Sequence, residues 1–211
     1  MSELNDFQSI NKVAPRSWSD YYKAVANRPP RETLLSALTN FERDNEKEES
    51  RIAVDLGCGE GRDTVELLHR GWKVIAIDSQ PEAIERLKNR CDNETLLETR
   101  LSQFENIDLP SGVNLINASF SLPFCEPESF PDLWKQIFSS LISGGRFSGH
   151  LFGKKDSWAE DSTMNFHTLS DINLLLENFE VELLSEEDHP GKTALGHEKH
   201  WHIFHIVARK K

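Results

Sequence analysis

The densest run of residues able to do chemistry is Val54-Asp55-Leu56-Gly57-Cys58-Gly59-Glu60-Gly61-Arg62-Asp63. Glycines at alternate positions let the backbone approach a ligand closely and adopt positive φ. A helix starting at Arg62 would present N–H groups without partners inside the helix. A dinucleotide fingerprint, Gly-x-Gly-x-x-Gly, would need glycine at position 62, where Arg62 stands. The order is instead Asp-x-Gly-x-Gly-x-Gly. A second feature is Asp78, which closes the apolar run Lys73 to Ile77. A carboxylate at the tip of a second strand can accept both hydrogen bonds of a ribose diol.

These residues need a scaffold, and the hydrophobic pattern supplies one. Ile52-Ala53-Val54 reads as a buried parallel strand, and Arg62 to Arg70 as a helix that Gly71 stops. Ser79-Gln80-Pro81-Glu82 has the makings of a capping box before a helix that buries Ala83, Ile84 and Leu87. Further strands are expected at Leu96–Leu101, Val113–Ala118, Arg146–Phe152, Glu180–Leu184 and Trp201–Ala208. Helices are expected over Pro131–Ile142, closed by Gly144-Gly145, and over Thr168–Phe179. This alternation predicts an α/β fold: a doubly wound, Rossmann-like, seven-stranded sheet. The final two strands lack an intervening helix, which permits a hairpin and an antiparallel strand near the edge of a mostly parallel sheet.

Residues 1–50 precede this pattern and read as an N-terminal helical lid segment, with the main domain at 51–211. Trp18, Tyr21 and Tyr22 would share one helix face. Pro29-Pro30 breaks the chain before an amphipathic helix at Glu32–Phe41, and Asp44 to Glu49 reads as a solvated charge run.

The glycine pattern resembles motif I of class I S-adenosylmethionine-dependent methyltransferases, and the likeness covers roughly residues 51–211. Gly144-Gly145 before the fifth strand and the ending Ile206-Val207-Ala208-Arg209 are similar to the small-molecule branch, including tellurite-resistance-type and thiopurine-type enzymes. The resemblance implies S-adenosyl-L-methionine as cofactor, held by Asp55, Gly57, Cys58, Gly59, Gly61, Asp78 and Ser79. Gln103, Phe104, Ala118 and Ser119, after the third and fourth strands, complete that expected set. Alternatives stay open within it. Adenine is met by the Gln103 side chain or by backbone alone. Phe104 packs on adenine or in the core. Asp55 orients the ligand ammonium or bonds backbone N–H groups in the turn.

No catalytic base is implied. The acceptor-pocket candidates are Trp18, Tyr21, Tyr22, His150 and His167, with residues 1–50 and Gly153–Thr168 as covers over the cleft. Asn117-Ala118-Ser119-Phe120 departs from the Asn/Asp-Pro-Pro-aromatic motif of amine- and DNA-methylating enzymes.

Composition narrows the partners. The net charge of −11 repels phosphate backbones, so nucleic acid is not the expected substrate. Mean hydropathy is −0.53 and no apolar run is long enough to span a bilayer. No secretory signal is visible at the N-terminus, and Cys58, Cys91 and Cys125 form no disulfide or metal pattern, which suits a reducing cytoplasm. His200 and His202 alternate on one strand face without recurring cysteine or carboxylate partners, so no metal is expected. The resulting expectation is a cytoplasmic monomer or homodimer that methylates a small molecule by in-line transfer. Two other classes share these features: a cofactor-binding regulatory protein without turnover, and a nicotinamide-dependent oxidoreductase, which Arg62 disfavours.

Overall fold

A computed structural model describes residues 17–44, 50–91 and 94–211. The remainder of the proposed lid, residues 1–16, and most of the charge run, 45–49, lie outside the described residues.

Two helices come first, α1 (Trp18–Val25) and α2 (Glu32–Arg43). They lead into β1 (Ile52–Leu56), α3 (Arg62–His69), β2 (Lys73–Asp78), α4 (Pro81–Arg90), β3 (Leu97–Leu101) and β4 (Val113–Ala118). The chain ends with α5 (Phe130–Ser140), β5 (Leu141–Phe152), α6 (Leu169–Leu175), β6 (Phe179–Lys192) and β7 (Glu198–Lys210). The seven strands form one sheet in the order β3-β2-β1-β4-β5-β7-β6. Pairings from β3 through to β5 are parallel, and β7 runs antiparallel to both β5 and β6. This is the predicted α/β, Rossmann-like, mostly parallel sheet with one antiparallel strand near its edge.

Side chains of the central strands alternate between two cores. Val54, Leu56 and Ile116 pack with Leu133, Ile137 and Ile172 from α5 and α6. Ala53, Leu115 and Val207 face the other way, onto Leu34, Leu38, Leu67 and Leu87 from α2, α3 and α4. Helix α2 is therefore part of the core of the 51–211 domain, with its Leu34, Ala37 and Leu38 buried. Apolar burial of this kind contributes about 1.5–3 kcal/mol for each large side chain fully removed from water.

Several sequence expectations are corrected. Helix α5 ends at Ser140, and Gly144-Gly145 sit inside β5 rather than closing the helix. The cause is pairing of Leu141 with Val113, which pulls the chain into the sheet ahead of an irregularity between Val113 and Leu115. Helix α6 stops at Leu175, so that Phe179 starts β6 and is buried under Trp134 and Phe138. The capping box at Ser79–Glu82 does not form. The N-cap is Gln80, with no side-chain cap bond, because Asp78 Oδ1 takes the Gln80 N–H at 2.8 Å while Glu82 accepts from Arg86 and Ser19.

The last two strands are much longer than their apolar runs. Pairing continues from Phe179↔Lys210 out to Lys192↔Glu198, far past the Phe152↔Ile203 end of the β5–β7 ladder. The overhang is a two-stranded arm. Residues 153–168 are stitched to its base through Gly153 N–H to His202 O at 2.7 Å and Lys155 N–H to His202 Nδ1 at 3.1 Å.

Candidate cofactor and acceptor site

The glycine loop is built by the strand before it and the helices around it. Gly57 and Cys58 donate their N–H groups to Ile77 O, tying the loop to β2. Gly61 begins α3 at φ +88°, and a Cβ there would lie 2.4 Å from Leu87 Cδ1 of α4. Gly59, at φ +56°, faces open space instead, with only Tyr22 Cε1 within 4 Å of an added Cβ, at 3.6 Å. Gly61 thus serves close packing and a left-handed turn, whereas Gly59 keeps the loop accessible.

Asp78 reaches the same loop. Its Oδ2 accepts the Gly59 N–H at 2.9 Å and its Oδ1 the Gln80 N–H, so both oxygens are fixed at the β2 tip. Burial raises its carboxyl above the usual range, opposed by those backbone bonds.

Asp55 does not bond the backbone N–H groups of the turn among the described residues. Its bonds go to side chains: Thr64 Oγ1 donates at 2.6 Å and Asn117 Nδ2 at 2.9 Å. The other Asn117 amide hydrogen goes to Asp63 Oδ2 at 3.1 Å, so a single amide bridges two carboxylates. Burial, then the neighbouring Asp63, pushes Asp55 up to about 7. Asp63 also accepts from Ser119 Oγ at 2.5 Å and from the Arg31 N–H at 2.9 Å, which anchors the segment after Pro29-Pro30.

A cavity of about 1360 Å³ opens beyond these strand ends. Asp55, Gly57, Cys58, Gly59, Asp78 and Ser79 line it from the β1 and β2 side. Gln103, half-buried Phe104 and Ser119 line it farther along, with Phe104 also packed against the core. Gly61 and Ala118 are not among the lining residues: Gly61 lies under Leu87, and Ala118 is fully buried in the sheet.

Helix α1 covers one side. Trp18, Tyr21 and Tyr22 all line the cavity and touch one another, and Trp18 meets Phe124 edge-on at 5.2 Å. Burial, then Asp78, holds the Tyr22 phenol well above its ordinary range. Trp158 and Thr163 contribute from the 153–168 connection. A third cover has no signal in the sequence: the arm supplies Glu187, His189, Leu195 and Trp201. Its base is held by a buried ion pair between Lys199 and Asp156, with the ammonium 3.8 Å from the Trp158 ring centre and 4.5 Å from that of Trp201.

The two candidate histidines lie behind the wall. His150 stacks on Phe120 at 4.0 Å and meets His205 at 4.8 Å, with its Nδ1 buried and unpartnered. Burial, then His205, Arg31 and Arg62, keeps it far below the ordinary imidazole range, hence neutral. Phe120, a lining residue, holds φ +57°, an uncommon conformation for an aromatic. His167 packs on Phe130 at 4.9 Å and is not among the lining residues, and burial lowers it to about 4.

The C-terminal histidines are hydrogen-bonded across the arm. His202 accepts from Lys155 N–H on Nδ1, which leaves Nε2 to donate to Glu186 at 2.7 Å. His200 pairs with Asp188 at 2.6 Å, and Lys155 occupies the other Asp188 oxygen. Glu186, Asp188 and His202 could in principle surround an ion, but each already has a protein partner.

The strand order, the glycine loop and the carboxylate at the β2 tip resemble those of class I methyltransferase domains, the kind that uses S-adenosylmethionine. Comparison with known proteins agrees, since residues 53–145 match the family described as "Methyltransferase domain". A carboxy-S-adenosyl-L-methionine synthase of Cronobacter sakazakii is 29% identical over 121 residues, covering 54% of this chain and 49% of that protein. The chain spans about half the length of the curated relatives it matches. Among solved structures, TehB from Haemophilus influenzae has a TM-score of 0.70 at 18% identity, over 92% of this chain and 68% of that one. The 1,6-didemethyltoxoflavin-N1-methyltransferase of Burkholderia thailandensis, crystallised with 1,6-didemethyltoxoflavin and S-adenosylhomocysteine, has a TM-score of 0.62 at 18% identity, over 92% and 84%. Both share the fold of this chain. No helix among the described residues is long and apolar enough to cross a membrane.

Proposed function

We propose that the protein transfers a methyl group from S-adenosylmethionine to a small molecule held in the cavity. The observation that carries this reading is the joining of two sites in one cleft. The glycine loop with Asp78 lies at one end, and aromatic covers from three separate segments lie around the rest. Gly59 passes a test of fit, because its open face is what a ligand lying against the loop backbone requires.

Asp78 would accept the ribose hydroxyls while its backbone bonds hold it in place. Asp55 and Asp63, bridged by Asn117, would receive the amino-acid end. Ser102 to Phe104 would border adenine. When bound, the cofactor supplies an electrophilic methyl group on a sulfonium. The protein's own part is alignment and exclusion of water. Orientation of this kind contributes up to about 7–11 kcal/mol in well-aligned systems. The aromatic covers would keep the cleft dry, which strengthens the electrostatics inside it. Neutral His150 would stiffen Phe120 from behind rather than remove a proton from the acceptor.

The similarity to carboxy-S-adenosyl-L-methionine synthases is, for the Cronobacter sakazakii protein, 29% identity over 54% of this chain, so it supports the domain class and leaves the acceptor to be argued from the cavity. A fluorescence melting assay tests the cofactor half: adenosylhomocysteine should raise the Tm, and NAD should not. A screen of small acceptors, read by adenosylhomocysteine formation, tests turnover. Cofactor binding with no product from any acceptor class would favour a regulatory protein of the same fold.

A further inference from the structure

The chain carries a net charge of −11, yet guanidinium groups converge on one part of the cavity wall. Arg28 and Arg31 reach it from the segment between α1 and α2, and Arg62 from the first turn of α3. The Arg31 guanidinium carbon lies over Phe120, 4.2 Å from the ring centre, with the Tyr21 side chain near enough to favour its charge. Arg62 donates through Nε to Pro29 O, while its Nη1 is buried with no partner.

Among the described residues, no ion pair neutralises any of these arginines. Asp63 is near enough to attract Arg31 and Arg62, but its oxygens already accept from the Arg31 backbone, Asn117 and Ser119. Burial disfavours charge on both guanidiniums; Arg28 repels both, and Arg31 repels Arg62. Elsewhere the same chain treats a buried arginine differently. Arg146 is held by both oxygens of Glu182, at 2.8 and 2.7 Å, and by Asp44 at 2.7 Å. Two half-buried guanidiniums with spare donors, one of them stacked in place, suit the fork-like recognition of an anion.

We propose that Arg31 and Arg62, with the Tyr21 hydroxyl, bind an anionic group of the methyl acceptor, a carboxylate or a phosphate. This deepens the methyl-transfer reading and rests on it. The cofactor is a net cation, with a sulfonium and an ammonium against one carboxylate, so its entry brings no net countercharge to Arg31 and Arg62, although Asp55, Asp63 and Asp78 also line the cavity. An anionic acceptor supplies the missing countercharge. Phe120 packs against Arg31, and the neighbouring aromatic covers suit a flat body attached to the acid group.

The test titrates benzoate, its neutral isostere benzamide, and inorganic phosphate into the full-length protein. Each titration is run with and without saturating adenosylhomocysteine, and calorimetry is checked against the fluorescence of Trp18, Trp158 and Trp201. Benzoate or phosphate should bind saturably and benzamide should not. Arg31→Gln and Arg62→Gln should each weaken anion binding about tenfold or more, as expected for loss of a charge-assisted hydrogen bond. Arg31→Lys should fall between wild type and Gln, which separates lost recognition from lost folding. A comparison of adenosylhomocysteine with 5′-methylthioadenosine, which lacks the amino-acid end, identifies the source of the anion. If the Gln variants weaken only adenosylhomocysteine and no added anion binds, the guanidiniums serve the cofactor carboxylate and the proposal is overturned. Equal affinity for benzoate and benzamide, or unchanged anion binding in both Gln variants, overturns it as well. Failure of adenosylhomocysteine to bind wild-type protein would instead count against the cofactor reading, and the anion titrations of the free protein would still decide this one.

Discussion

Replacing Asp78 by asparagine changes almost no volume but alters both jobs assigned to this side chain. In the structure each carboxylate oxygen accepts one backbone N–H, Gly59 at 2.9 Å and Gln80 at 2.8 Å. An amide has only one oxygen. Whichever way the substituted amide turns, one of those N–H groups meets another donor, and the glycine loop loses an anchor. A hydrogen bond to a charged group contributes roughly 1.5–3 kcal/mol, so the variant should be destabilised by about that amount without any ligand. The second job concerns the ribose. If the hydroxyls donate to the remaining lone pairs, their loss should weaken adenosylhomocysteine by roughly 10- to 150-fold, the same energy range expressed as affinity. The two effects separate experimentally. Urea denaturation of the free protein reads the first, and calorimetry with adenosylhomocysteine on folded variant reads the second. The 2′-deoxyribose analogue completes a cycle: wild type should discriminate against it, and Asp78→Asn should not. A variant that loses stability but binds adenosylhomocysteine as tightly as wild type, with discrimination intact, would refute the ribose role and leave Asp78 as a loop anchor only.

Other outcomes follow from the same geometry. Burial beside Asp63 raises the folded Asp55 carboxyl from an ordinary 3.8 to about 7, so its contribution to stability should be complete below about pH 4 and be lost as pH rises through about 7. Denaturation free energies measured across that window should therefore fall with pH less steeply in Asp55→Asn than in wild type. Gly61→Ala should be poorly tolerated, because φ is +88° and the added Cβ would meet Leu87 at 2.4 Å; its Tm should drop well below that of Gly71→Ala, which meets nothing. Lys199→Met leaves Asp156 buried without its counter-ion and should cost about 3–5 kcal/mol by urea denaturation, with Lys199→Met/Asp156→Asn recovering part of it. Exhaustive chelation should leave the Tm and adenosylhomocysteine affinity unchanged, since Glu186 pairs with His202 and Asp188 with His200 and Lys155; a metal-dependent loss would bring that group forward as a site.

Local chemistry made much of this protein legible in its amino-acid sequence. The glycine spacing, the apolar runs of β1, β2 and β4, and the position of Asp78 at a strand tip depend on short stretches of chain, because strand propensity, glycine turns and helix starts are set by near neighbours. The strand class and the closing antiparallel hairpin followed from the same signals. What the sequence could not specify were features made by residues far apart along the chain. Polar residues such as Glu187 and His189 carry no apolar alternation, so the arm that extends β6 and β7 was invisible until their mutual pairing built it. The ends of α5 and α6 were decided by sheet pairing and by burial of Phe179, which override helical periodicity. Asn117 read in the sequence as the start of a strand-tip run that departs from the amine- and DNA-methylating motif, yet tertiary packing sets it between Asp55 and Asp63, where burial and the neighbouring acid lift Asp55 toward neutrality. Arg62 registered in the sequence only as the wrong residue for a dinucleotide motif. Its meeting with Arg31 across the cavity wall joins positions separated by a helix and a strand, and only folding could bring two like charges together in a protein otherwise so acidic.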